Sequence, residues 1–128
     1  MNDARPEDEA FPARTVAQGV ALVSVSGKIR GRRARRLGQR LRALAEEGLA
    51  RVVLDMRTLT SIDSLGTFAL EEGLAGGLKI HLVLRPAFSQ ERFLLSRSLL
   101  RRGLRVHRDL DEALSAVRQI ADSGICLV

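Results

Sequence analysis

The chain has 128 residues, 45% of them hydrophobic: the length of one domain, with enough apolar material for a core. It carries 21 Lys+Arg against 15 Asp+Glu, a formal net charge of +6, and only 3% aromatic residues, so an acidic partner (nucleic acid, lipid or protein) is expected. No apolar run approaches the ~18 residues that cross a bilayer, the acidic, polar opening does not read as a secretory leader, and Cys126 alone allows neither an internal disulfide nor a cysteine zinc cluster, so a cytoplasmic location is expected.

Residues 1–13 lack periodicity and read as a flexible lead-in. Thr15, Val16 and Ala17, then Gln18-Gly19, then residues 20–26 read as two strands around a tight turn. Val23 and Val25 alternate with Ser24 and Ser26, as on a strand with one wet face, and Gly27 is expected to end it. Residues 31–48 read as a helix: Leu37, Leu41 and Leu44 fall on one face, and Gly48 is placed to stop it with a left-handed cap. Residues 51–56 form a nearly continuous apolar strand, as for a central strand covered on both faces.

Residues 57–62 read as a loop. Asp63 then stands at a helix N-cap, with Leu65, Phe68 and Ala69 as an apolar stripe and Gly73, Gly76 and Gly77 closing the helix early. Residues 78–84 predict a strand. Pro86 opens a helix to about residue 102, capped by Gly103, and residues 104–107 predict a last short strand. Asp109 and Glu112 form a capping box for a final helix whose buried face is Leu110, Ala113, Leu114, Val117 and Ile120, and residues 121–128 read as a tail. This alternation predicts an α/β fold: a mixed, mostly parallel sheet with an antiparallel N-terminal edge strand and about four helices.

The most informative stretch is residues 52–66, where a hydrophobic strand ends in Asp55, a short loop follows, and Ile62-Asp63-Ser64-Leu65-Gly66 opens a helix. With Gly27, Gly48 and the Gly103-Leu104 step also in place, residues 14–120 resemble the STAS domain. That is the fold of anti-sigma-factor antagonists and of the cytoplasmic domains of sulfate-type anion transporters. The resemblance implies a non-catalytic partner switch without a cofactor. Ser64 would be phosphorylated by a partner that is both serine kinase and anti-sigma factor. The turn Asp63, Ser64, Leu65, Gly66 and Thr67 would carry the contact, and a phosphatase would reset it. The sequence departs from the family pattern in Leu65, in Gly73, in a helix after Pro86 about two turns longer than usual, and in its basic charge.

Other readings stand beside this one. Asp63 and Ser64 also suit an ordinary helix start, and Thr58, Thr60, Ser61 and Thr67 are neighbouring hydroxyls read as loop and capping residues. Asp55 and Asp63 could approach each other at the carboxyl edge of the sheet, but no further acid or Lys completes a Mg²⁺ site, so Asp55 reads as a supporting residue that hydrogen-bonds the loop. His81 and His107 lack ligand spacing and read as structural. Residues 28–42 hold eight positive and no negative charges, with Arg32, Arg33, Arg35 and Arg36 as a candidate basic patch for nucleic acid or anionic membrane. All four Phe fall in apolar or tail contexts, which disfavours base stacking and makes nucleic acid the weaker partner class. A STAS subunit attached to a lipid-asymmetry type of ABC transporter is the alternative within the family.

Overall fold

The computed structural model describes residues 11–85 and 103–124. Strands β1 (Ala13–Ala17) and β2 (Val20–Ser24) pair antiparallel around Gln18-Gly19, where Gly19 takes φ 73°, a backbone that side chains rarely adopt. β2 then pairs in parallel with β4 (Arg51–Met56), β4 with β6 (Lys79–Leu84) and β6 with β7 (Leu104–His107). The five-stranded order is β1-β2-β4-β6-β7, the expected mixed sheet with one antiparallel edge.

Two expected boundaries fall differently. Gly27 does not end a strand; it opens β3 (Gly27–Ile29), and the predicted loop at 57–62 contains β5 (Leu59–Ile62). These two pair in parallel as a separate small sheet, with a register shift after Gly27. Backbone bonds from Val25 N–H to Asp55 O (3.0 Å) and Gly27 N–H to Thr58 O (3.1 Å) carry the β2–β4 pairing forward into it. Each strand is short and paired far along the chain, so periodicity gives it no signal.

Helix α1 (Arg32–Glu46) buries Ala34, Leu37, Leu41 and Leu44. It stops as expected: Gly48 has φ 89°, and its N–H reaches Ala45 O while Leu49 N–H reaches Leu44 O, the two bonds of a Schellman cap. Helix α2 (Ser64–Ala75) passes through Gly73 rather than closing there. A Cβ at Gly73 would stand 3.2 Å from both Ile80 and Leu41, so this glycine lets α2 lie close to α1 and the sheet, while Gly38 of α1 faces Ala69 at ordinary contact distance. Termination comes from Gly76 and Gly77, the latter at φ 102°.

α1 and α2 cover one face of the sheet, over Val23, Val52, Leu54, Ile80 and Leu82. Helix α3 (Leu110–Gly124) covers the other, where Ala113 and Val117 meet Leu22, Val53 and Val83. β4 is thereby buried on both faces, as its sequence predicts. α3 runs into the expected tail, to Gly124. Asp109 caps it through a 2.7 Å bond from Glu112 N–H, but the Glu112 carboxylate turns to His107, not back to residue 109 as a full capping box requires. The described residues hold three helices; the helix expected after Pro86 lies outside them, as does the side chain of Ile120. Among the described residues no helix is long and apolar enough to cross a membrane.

Candidate functional site

The small β3–β5 sheet sets the site, because α1 and α2 both start from its carboxyl end. Asp63 follows β5 directly, and its N–H donates to Ile29 O at 3.2 Å. With φ −105° and ψ −174° it has the extended backbone of an N-cap. One carboxylate oxygen accepts from Gly66 N–H at 3.0 Å, inside α2. The other accepts from Gly31 N–H at 3.2 Å, at the start of α1. One side chain therefore ties together two helix N-termini, each carrying unsatisfied donors and partial positive charge.

Ser64 is the first residue of α2 and is exposed. The neighbouring hydroxyls differ from it. Thr67 is buried and its hydroxyl lies 3.4 Å from Asp63 O, and the Ser61 hydroxyl is buried; Thr58 and Thr60 are exposed, before the cap. Gly66 is buried, and a Cβ there would overlap Ile62 and stand 3.3 Å from Ile29, so glycine fits best where α2 crosses the small sheet.

Asp55 and Asp63 do not work as a pair; each has its own partners. Asp55 accepts two bonds of 2.8 Å from the Arg57 guanidinium and one of 3.2 Å from Arg57 N–H, stapling the turn between β4 and β5. The Arg57 side chain holds its carboxyl below the ordinary carboxylate range, against the opposing pull of partial burial. Asp55 thus hydrogen-bonds the loop, as expected from its position.

The apolar stripe expected of α2 is corrected. Ala69 is buried, with Leu70 and Leu74, but Leu65 is 39% and Phe68 55% exposed. Both project beside Ser64 along the outer side of α2, because the inward side carries Ala69 and Gly73, small enough to admit α1, and Gly66 against Ile62 and Ile29, with Leu70 and Leu74 filling the core. Of the two Phe among the described residues, Phe11 is buried and Phe68 is on the surface.

The candidate basic patch also divides. Arg32 and Arg35 are exposed and Arg36 is partly so. Arg33 instead folds back, donating to Ser26 O at 2.7 Å and Lys28 O at 2.9 Å, with its guanidinium 5.1 Å from the centre of the buried Phe11 ring. It fastens β3 to α1. Arg42, farther along, pairs with Glu72 across the helix interface.

Sequence reasoning did not find the histidine pair. His81 on β6 and His107 on β7 stack at 5.2 Å, and His81 Nδ1 lies 2.9 Å from His107 Nε2. His107 Nδ1 is in turn 3.2 Å from Glu112 Oε1 on α3. Burial first, then the charges of His107, Arg51 and Arg105, lower the His81 pKa to about 4. Parallel register brings the two rings together. The only trace in the sequence is that both fall on the strand face opposite the leucines. Among the described residues no three His, Cys, Asp or Glu side chains are grouped to hold a metal ion.

A STAS domain family model matches residues 12–113. Among solved structures, an anti-sigma factor antagonist from Mycobacterium paratuberculosis is 24% identical, with a TM-score of 0.70 over 90% of this chain and 98% of that one. The anti-sigma factor antagonist SpoIIAA in its unphosphorylated form is 14% identical, with a TM-score of 0.60 over 88% and 98%. At these identities the structural likeness is one of fold. No curated protein sequence matches the chain.

Proposed function

Because this chain belongs to the STAS domain family, we propose that it is a cytoplasmic, non-catalytic partner switch of the anti-sigma-factor-antagonist type, with Ser64 as its phosphoacceptor. The observation that carries this reading is the placement of Ser64. It is exposed at the first position of α2, directly after a cap that fixes the turn from both sides. A kinase reaches the hydroxyl without unfolding anything. The γ-phosphoryl group passes from ATP to Ser64 Oγ, the hydroxyl proton goes to a base on the kinase, and ADP leaves.

The added group carries about −1.5 to −2 charges and three acceptor oxygens. The N-terminus of α2 tolerates that charge, since its free N–H groups and dipole favour an anion. A partner surface that had closed over a neutral hydroxyl does not, because the phosphate must then be desolvated. Release follows from charge at an interface, with the fold unchanged. The unphosphorylated form binds the anti-sigma factor and frees the sigma factor; a phosphatase restores it.

The test uses purified serine-kinase anti-sigma factors of the source organism. Incubation with ATP is expected to place one phosphate on Ser64, and Ser64→Ala to prevent it. Ser64→Asp is expected to abolish partner binding and leave the melting temperature unchanged. A phosphate found elsewhere, or a Ser64→Asp protein that binds like the wild type, rejects the switch.

A further inference from the structure

Building on the reading that this face meets a protein partner, we infer that the cleft between α1 and α2 is a docking groove for an acidic amphipathic helix of that partner. The two helices run side by side in the same direction. Asp63 joins their starts, Arg42 pairs with Glu72 farther along, and a Cβ at Gly76 would stand 3.2 Å from Ala45 near their ends. Their outer faces present two stripes. Arg35, Gln39 and Arg42 line the cleft from α1; Leu65, Phe68 and Glu72 line it from α2 at i, i+3 and i+7. The cleft has a volume of about 250 Å³.

Two features define the occupant. Leu65 and Phe68 are the exposed large hydrophobics among the described residues, and they sit one turn apart. A helix laid between two parallel helices presents its own apolar ridge to such a pair, as ridges pack into grooves. Charge supplies the second feature. Glu72 neutralises Arg42, but α1 has no acidic residue in its first turn to offset Arg32 and Arg35. The Asp63 carboxylate is turned inward to Gly31 N–H and Gly66 N–H and offsets only one of these two charges, so the Leu65 end keeps a positive excess, and the fitting helix carries Asp or Glu beside its apolar ridge. A bilayer surface fits less well, because it takes up convex apolar faces, whereas this apolar pair lines a cleft. Ser64 adjoins Leu65, so a phosphate there would repel the acidic helix from the end where it is held most strongly.

Direct titration tests this with fluorescein-labelled helical peptides of roughly five turns. One has a leucine ridge flanked by Glu, one the same ridge flanked by Lys, and one is a scramble of the Glu peptide. The Glu peptide is expected to bind saturably and more weakly as salt rises, and the other two at least about tenfold less tightly. Phe68→Ala and Arg35→Glu should each weaken it by about tenfold or more. Both positions are exposed, so the melting temperature should hold; Arg118→Glu, on α3, should leave binding unchanged. A Glu peptide that binds no better than its scramble, or binds equally to Phe68→Ala, overturns the groove. So does binding only to phosphatidylserine-containing vesicles. No kinase enters this assay, so its failure leaves the Ser64 reading standing, and failure of Ser64 phosphorylation leaves a positive peptide result intact.

Discussion

Asp63 concentrates more function in one side chain than any other residue of the turn. It caps α2, anchors the start of α1 and precedes the candidate phosphoacceptor. Asp63→Ala is expected to destabilise the fold by roughly 1–2 kcal/mol, the range for loss of a cap, while Asp63→Asn keeps an acceptor oxygen and loses less; urea unfolding of the two variants checks the order. Gly66→Ala acts through packing instead. Its methyl group meets Ile62, and overpacking of this kind costs about 1–3 kcal/mol. If Gly66→Ala unfolds at the wild-type urea concentration, the close crossing of α2 over Ile62 is not a constraint on the fold.

At the scale of the element, α1 shows how one run of arginines serves two ends. Arg33 ties β3 to the helix by two carbonyl bonds, whereas Arg32 is in solvent. Arg33→Ala should therefore cost about 1–2 kcal/mol and Arg32→Ala stay within about 0.5 kcal/mol; equal midpoints in denaturant would contradict the structural role. What the sequence made legible follows the same division. Helix α1 announced itself because Leu37, Leu41 and Leu44 repeat and Gly48 must be left-handed, both local signals. The Asp63 cap and the Ser64 position were legible for the same reason. Strands β3 and β5 were not, because each exists only through pairing with the other across some thirty residues of chain. The exposure of Leu65 and Phe68 was hidden too. A count of apolar residues says that a helix has a buried face, but here Gly66, Ala69 and Gly73 share that face with Leu70 and Leu74, and Leu65 and Phe68 are left outside it.

Across the whole molecule, the histidine pair couples the sheet to α3. His81 is buried on the α3 side, facing His107 and Arg105 on β7 and Arg51 on β4, while Glu112 from α3 holds the far side of His107. An unfolded histidine titrates near 6.5, and the folded His81 near 4. As pH falls through that window the unfolded chain takes up a proton that the folded chain resists, so stability present above pH ~6.5 is lost progressively toward pH ~4. His81→Phe keeps the stacking bulk and removes the titration. Its urea midpoint should depend less on pH between about 6.5 and 5 than that of the wild type; parallel curves would place the acid sensitivity elsewhere.

The small β3–β5 sheet has a further consequence. It has only seven residues in two strands, continuing the β2–β4 pair as a sheet of its own, yet both helix starts hang from it. Two short strands, each paired on one side only, open more readily than β4, which is paired on both sides and enclosed on both faces. Amide protons of Ile29 and Asp63 are therefore expected to exchange with deuterium faster than those of Val53 and Leu54, by a local opening that leaves the core intact. The serine turn then rests on a part of the described fold that yields before the core, and a bound partner is expected to tighten that frame and slow the exchange.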